Sequence, residues 1–238
     1  MIDLHCHILP GLDDGAQALD DSVAMARQAL SDGIHTACAT PHIRHDYRVV
    51  IDEIAARADA LSEALSARGV DVRILPGGEL AQTEADRLSA EQLRRVALGG
   101  EGGWLLLEPA PGPLGRDLEE LVERLAGRGL RTIVAHPERH AGEDFEERLY
   151  ALRDRGCLIQ WTAQWVARAE GDHLPRLARD GLVQLLGSDA HSARVGRPVR
   201  LSEGRERLTA ICSPARVRWI VEDAPRAIVR GEDVPAMP

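Results

Sequence analysis

Apolar positions along this chain switch repeatedly between the period of a strand and the period of a helix, and the switches mark out its elements. Ile2 and Leu4 stand on either side of Asp3 in a short alternating run, which predicts a strand at the start. Leu19, Val23, Ala26 and Leu30 fall on one stripe of a helix whose first turn carries Asp20, Asp21 and Ser22 and which Gly33 ends. A second strand is expected over 34–42, closing in Thr40-Pro41-His42, and a long helix over about 49–67, closed by Gly69. A third strand, 70–75, runs into Pro76-Gly77-Gly78-Glu79. Residues 81–103, polar and then glycine-rich, predict a mobile loop.

The alternation continues to the far end. Residues 104–107 predict a buried strand that ends in Glu108, and Leu118, Leu121, Val122 and Leu125 an amphipathic helix. A strand over 131–135 ends in His136-Pro137-Glu138-Arg139, followed by a helix at about 143–155, a strand at 157–160 and a helix at about 173–180. The strand at 183–186 ends in Gly-Ser-Asp189-Ala-His191, and helices follow at about 201–211, 214–223 and after Pro225. Seven strands alternating with helices predict an α/β chain with a parallel sheet. Polar residues cluster at or just past the C-terminal ends of six of those strands. Such residues meet at one mouth when strands close into a barrel, whereas an open doubly wound sheet draws its site from fewer strands. A barrel is therefore expected, with residues 1–238 as one domain.

Composition narrows the partners. A formal net charge of −9 disfavours sequence-independent binding to nucleic acid or to an anionic membrane. No window approaches the length of a membrane-spanning apolar run, and neither a signal peptide nor membrane insertion is read, so a cytoplasmic protein is expected. Cys6, Cys38, Cys157 and Cys212 are scattered, without a paired spacing, and read as free and largely buried thiols. Aromatic residues make up only 3% of the chain, so its core must rest on aliphatic side chains.

The strand-end residues carry the chemistry. His5 and His7 lie two apart in a strand, so both imidazoles project from the same face, while Cys6 between them points the other way. Asp13 and Asp14 follow the Pro10-Gly11 turn and add carboxylates. Imidazoles with hard oxygen donors suit zinc, manganese or iron. The full candidate set is His5, His7, Asp14, His42, Glu79, Glu108, His136, Asp189 and His191. That is too many donors for one tetrahedral zinc and enough for two or three ions sharing a bridging carboxylate. Such ions activate water and clamp the attacking and leaving oxygens of a displacement.

The motifs H-C-H, T-P-H, G-G-E, H-P-E-R and S-D-A-H resemble those of the polymerase-and-histidinol-phosphatase (PHP) superfamily of metal-dependent phosphoesterases. The segments I-D-L-H-C-H-I-L-P-G-L-D-D-G-A, T-P-H-I-R-H-D-Y and H-P-E-R look most similar to the bacterial manganese-dependent protein-tyrosine phosphatases of capsule and exopolysaccharide synthesis. The resemblance runs from Met1 to about Pro198. It implies a distorted (β/α)7 barrel and two or three divalent ions, most naturally Mn²⁺, with iron or zinc as alternatives. It assigns His5, His7, Glu79 and Asp189 to one ion, with Glu79 bridging to a second held also by Glu108 and His136. Asp14, His42 and His191 would hold a third, Asp14 being the aspartate whose place in D-D-G matches the family.

Arg139 is spaced to grip a phosphate with its planar fork, and Arg197, in V-G-R-P, matches another phosphate-binding position of the family. The reaction implied is attack by a metal-bridging hydroxide on a phosphotyrosine ester, on a protein substrate such as a bacterial tyrosine autokinase. His45, Asp46 and Tyr47 can line the mouth; His45 is a candidate to assist the leaving group or, alternatively, a solvated loop histidine. His35, His140 and His173 read as structural, and Trp161 and Trp165 belong either to the mouth or to the core. Alternative readings are a histidinol-phosphate or other small-molecule phosphatase with the same metal site, a nuclease, and a non-catalytic metal-binding module. The acidic charge weighs against the nuclease, and the intact donor set against the module.

Overall fold

The computed structural model describes residues 1–100 and 103–238. Its strands are β1 (Ile2–Cys6), β2 (Thr36–Ala39), β3 (His42–Ile43), β4 (Arg73–Pro76), β5 (Glu79–Ala81), β6 (Trp104–Glu108), β7 (Arg131–Ala135), β8 (Leu158–Thr162) and β9 (Leu185–Gly187). The helices are α1 (Leu19–Ser31), α2 (Ile54–Ser66), α3 (Ala90–Val96), α4 (Arg116–Gly127), α5 (Phe145–Asp154), α6 (Ala163–Arg168), α7 (His173–Arg179), α8 (Ser202–Thr209), α9 (Pro214–Arg218) and α10 (Ala224–Val229). Every paired strand runs parallel to its neighbour, as the alternation predicts. No helix of the described residues is long and apolar enough to cross a membrane.

The strands hydrogen-bond as two sheets, β1-β2-β4 and β3-β5-β6-β7-β8-β9. The split has a local cause. Pro41 has no N–H to offer and interrupts one strand between β2 and β3. Gly77 and Gly78 interrupt the next between β4 and β5, where packing is so close that a Cβ on Gly77 would meet Leu98 at 2.4 Å. Taken as one strand each, β2/β3 and β4/β5 bring the described strands to the seven expected. At the other edge, β1 meets the segment that leaves β9. His7 N–H donates to Ala190 C=O at 2.9 Å, and Asp189 N–H to His5 C=O at 2.9 Å.

A buried carboxylate pins that edge. Asp3 accepts from Ser188 N–H (3.0 Å), Ser188 O–H (2.5 Å) and His5 N–H (3.2 Å). Burial nonetheless outweighs these bonds and leaves the Asp3 pKa raised. Around it the core is aliphatic, as the composition requires. Leu105, Leu106 and Leu107 of β6 are all fully buried, the pattern of a parallel strand covered on both faces.

Several boundaries differ from the periodicity. Residues 81–103 are not one loop: a 3-10 turn (Gln82–Arg87) and α3 occupy most of them. Ser89 and Gln92 close a reciprocal capping box that starts α3, with Ser89 N–H donating to Gln92 Oε1 and Gln92 N–H to Ser89 Oγ. The part of the expected loop at 101–102 lies outside the described residues. Helix α6 was not expected; it is short and follows β8 without a break. At the C-terminal end a π-helical turn (Trp219–Asp223) joins α9 to α10, and Pro225, which has no N–H to offer the helix ladder, follows directly after it.

Replacing Asp3 by Ala would strip the acceptor from three buried donors, each costing about 1–3 kcal/mol when left unsatisfied. Urea unfolding of Asp3→Ala is expected to show a loss of several kcal/mol, and a loss below about 1 kcal/mol would show that this edge is held by other means.

Candidate metal centre

The strand ends deliver the candidate donors to one place. His5 and His7 leave β1 on its buried face, and their Nε2 atoms lie 3.3 Å apart. Glu79 opens β5 just past the two glycines and is fully buried, with Oε1 3.2 Å from His5 Nε2 and Oε2 3.3 Å from His7 Nε2. Asp189 follows β9 and puts Oδ1 3.3 Å from His5 Nε2 and 3.4 Å from His7 Nε2. His5, His7, Glu79 and Asp189 thus offer donor atoms within 4.8 Å of one another, all buried.

Two further groups share members with the first. His7, Asp14, His42 and His191 form one, in which Asp14 Oδ1 lies 3.4 Å from both His42 Nε2 and His191 Nε2. His42, Glu79 and Glu108 form the other, with His42 Nδ1 3.0 Å from Glu79 Oε2 and 3.7 Å from Glu108 Oε2. His136 belongs to neither group and stands beside Glu79, its Nε2 2.7 Å from Oε1. The geometry therefore differs in detail from the grouping that the resemblance implies: His42 rather than His136 completes the Glu79–Glu108 set, and His7 joins the Asp14 set.

The donor set fits a cation. His42 Nδ1, Glu79 Oε2 and His136 Nδ1 are buried without a hydrogen-bond partner, although such atoms are rarely left unpaired. His42 Nδ1 and Glu79 Oε2 face one another at 3.0 Å, an arrangement of buried donors that a divalent ion satisfies.

Supporting residues set the orientation of the imidazoles. Asp13, the other aspartate of the pair, lies close to His7 Nδ1 (Oδ2 at 2.7 Å) and accepts from Gly15 N–H and His42 N–H. It positions His7 from behind, while Asp14 faces the cluster. Burial acts to raise the Asp13 pKa, but its bonds to His7 and the two amides win and hold it down at about 2. Gln160, in the middle of β8, has Oε1 2.8 Å from His5 Nδ1, which turns His5 Nε2 inward. Sequence reasoning passed over Gln160 because it sits in an apolar strand. It closes the strand expected over 157–160, and that place was the available signal, although the strand itself runs on to Thr162.

Two strand exits are strained. His136 (φ 32°) and Asp189 (φ 48°) are the non-glycine residues with positive φ among the described residues, and both carry donors of the cluster. A left-handed residue costs about 1–2 kcal/mol, and such conformations gather at functional sites. At the first exit the backbone turns into the Pro137–His140 turn, and half-buried Glu138 accepts Thr162 N–H, tying β7 to β8. Burial pushes the Glu138 pKa up to about 7.

Both arginines converge on the cluster. Arg139 ion-pairs with Asp189 Oδ2. Arg197 donates through Nε to Asp189 C=O at 2.6 Å and sets its Nη2 2.8 Å from His191 Nδ1. His45 does not join them: it is exposed, and its Nδ1 lies 3.3 Å from Glu84. Tyr47 stacks on the His42 ring at 5.2 Å and 8°. Trp161 is fully buried, its indole donating to Leu182 C=O, and Trp165 stacks on it at 4.6 Å, so this pair belongs to the core and its edge. His140 is buried with Nδ1 against Gly112 C=O, whereas His35 is exposed.

Comparison with known proteins places this geometry. A family model described as capsular polysaccharide synthesis, CpsB/CapC, matches residues 1–230. The chain is 35% identical over 205 residues to the tyrosine-protein phosphatase YwqE of Bacillus subtilis (strain 168), covering 82% of this chain and 78% of that one. It is 26% identical over 214 residues to the tyrosine-protein phosphatase CpsB of Streptococcus agalactiae, covering 85% and 87%. Among solved structures, one from the work on YwqE of Bacillus subtilis and CpsB of Streptococcus pneumoniae, "unique metal-dependent tyrosine phosphatases", superposes with a TM-score of 0.84 at 28% identity, covering 99% and 96%.

Protons and metal ions compete for these donors. Burial opposes protonation of His5 and His7, but Glu79 and Asp189, joined for His7 by Asp13, outweigh it and raise both pKa values. The metal-free imidazoles therefore keep their protons to higher pH than a free histidine, and an ion must displace them. Mn²⁺ titrated calorimetrically at pH 6 and pH 8 is expected to bind more weakly at pH 6, by about tenfold per pH unit for each proton displaced, with proton release visible on changing buffer. Equal affinity at both pH values would contradict this competition.

Proposed function

The chain belongs to the capsular polysaccharide synthesis CpsB/CapC family, and from that premise we propose that it is a metal-dependent protein-tyrosine phosphatase acting in exopolysaccharide or capsule synthesis. The observation that carries this reading is the convergence of Arg139 and Arg197 on a buried cluster of imidazole and carboxylate donors. A binding module needs no phosphate-gripping cations beside its ions, whereas a phosphomonoesterase does.

His5, His7, Glu79 and Asp189 would hold one ion, and Glu79 with Glu108 and His42 a second, His136 standing against Glu79. His7, Asp14, His42 and His191 offer a third position that shares His7 and His42 with the other two, and we take the site to hold two or three ions, Mn²⁺ first and iron or zinc as alternatives. Such ions, when bound, neutralise phosphoryl charge and make water nucleophilic near neutral pH.

The rest is done by the chain. Arg139 and Arg197 each carry five N–H donors, of which Asp189 and His191 engage only some. Their remaining donors can hold phosphoryl oxygens and offset the charge gathering on them as the ester bond breaks. Asp13 and Gln160 keep His7 and His5 from rotating away. A phenolate leaves with a pKa near 10, well below that of an alkoxide, so the reaction makes little demand on a protein acid. The position of His45, paired outward with Glu84, accords with that. The substrate is a phosphotyrosine protein, and a bacterial tyrosine autokinase suits the reading. A cytoplasmic site of action goes with it.

Hydrolysis of a phosphotyrosine peptide and of histidinol phosphate, after chelation and after Mn²⁺ is restored, tests the reading. Turnover is expected only with metal and faster on phosphotyrosine. Asp189→Asn, a residue type that tolerates positive φ, should remove activity while leaving the fold. Arg139→Met should lower kcat about 100-fold. Faster hydrolysis of histidinol phosphate would reassign the substrate, and metal-independent turnover would reject the site.

A further inference from the structure

Beside the donor cluster lies a cavity of about 350 Å³ that the chemistry above does not use. Arg44 and Tyr47 belong to both places. Each lines the cavity, yet Tyr47 stacks on His42, and Arg44 Nη1 lies 3.7 Å from Glu108. The remaining walls include Ile43, Val49, Val50 and Leu88.

The charged groups of this cavity are already engaged. Arg44 makes a two-pronged pair with Asp46 at 2.6 and 2.9 Å, His45 pairs with Glu84, and Asp52 pairs with Arg95. What remains uncommitted is apolar surface. Val50 is 54% exposed, and Val195 is 80% exposed; they are the exposed large hydrophobic residues among those described. A lone exposed valine is unremarkable, but each of these two lies within a few residues of a side chain of the site. Val50 follows Tyr47 on one side of the cluster. Val195 lies in the loop between His191 and Arg197, whose side chains meet each other at Asp189. Exposed apolar side chains thus stand on two loops anchored in the same site.

We propose that the Val49–Val50–Leu88 cavity, with Val195 on the loop between His191 and Arg197, docks the polypeptide flanking the phosphotyrosine and takes an apolar side chain close to it in sequence. The proposal rests on the phosphatase reading. A chain bearing a phosphotyrosine held at Arg139 and Arg197 must pass over the surrounding loops, and an engaged set of charges rewards an apolar flank over an acidic one. The cavity is therefore a specificity site, with no part in breaking the ester bond.

Free phosphotyrosine and two phosphotyrosine peptides, one with leucine and one with aspartate beside the phosphorylated residue, separate the possibilities. With Mn²⁺ present, the protein is expected to favour the leucine peptide by about tenfold in kcat/KM, the scale of one well-filled apolar contact. Val50→Asp and Val195→Asp should erase that preference and leave hydrolysis of free phosphotyrosine unchanged. Val50 precedes the 3-10 turn Ile51–Glu53 as its N-cap, where aspartate is favoured, so Val50→Asp is expected to fold. Equal treatment of the two peptides, or an equal fall on free phosphotyrosine in the variants, would overturn the docking surface alone. No hydrolysis of free phosphotyrosine by the wild-type protein would overturn the phosphatase reading and the docking surface with it.

Discussion

Two carboxylates, Glu79 and Asp189, are buried within reach of the same pair of imidazoles, and the site depends on how their charge is balanced. Removing even one carboxylate from water is costly, and two in one dry space repel as well. Both are nevertheless held well below the usual carboxylate range, because burial is outweighed by His5 together with its neighbours. In exchange His5 and His7 hold on to protons. Divalent ions do the same balancing with more charge per site. Arg139 and Arg197 add fixed positive charge at the open side, where a phosphate must enter.

The fold is arranged around that balance. Pro41 and the Gly77-Gly78 pair break two strands so that His42 and Glu79 enter the site at the start of new pairings, aligned with each other across β3 and β5. Asp3 joins β1 to the exit of β9, which sets the His5–His7 pair against Asp189. Gly15 passes so close beneath His7 that a Cβ there would lie 2.1 Å from its carbonyl oxygen. His136 and Asp189 take left-handed backbone conformations, a local cost that the surrounding sheet bears. Stability is thus given up in small amounts at the strand exits, and the aliphatic core behind them supplies it.

Much of this was legible in the residues. Helices α1 and α4 follow their apolar stripes, and each strand expected from a short apolar run exists, because burial on both faces leaves a clear mark in composition. Strand-end placement marks His5, His7, His42, Glu79, Glu108 and Asp189, whose donor atoms the fold brings within reach of one another, and His136, which meets Glu79. What escaped was contact across long separations. Gln160 reaches His5, and Asp3 reaches Ser188, only once the strands are paired. The choice between Asp13 and Asp14 needed the turn geometry that sends one behind His7 and the other toward His42 and His191. Helix α3 hid in a polar stretch whose Ser89–Gln92 box was its one visible sign. His45 follows a strand end as the donors do, yet its neighbour is Glu84, on the outer side.

The central claim is that the buried donors form a multi-ion centre built around Glu79. Crystals grown with Mn²⁺ and recorded on both sides of the manganese absorption edge would locate the ions directly. The account requires anomalous peaks at two or more positions, one enclosed by His5, His7, Glu79 and Asp189 and another in contact with Glu79 and Glu108. A single ion bound away from Glu79, or none among these residues, would contradict it.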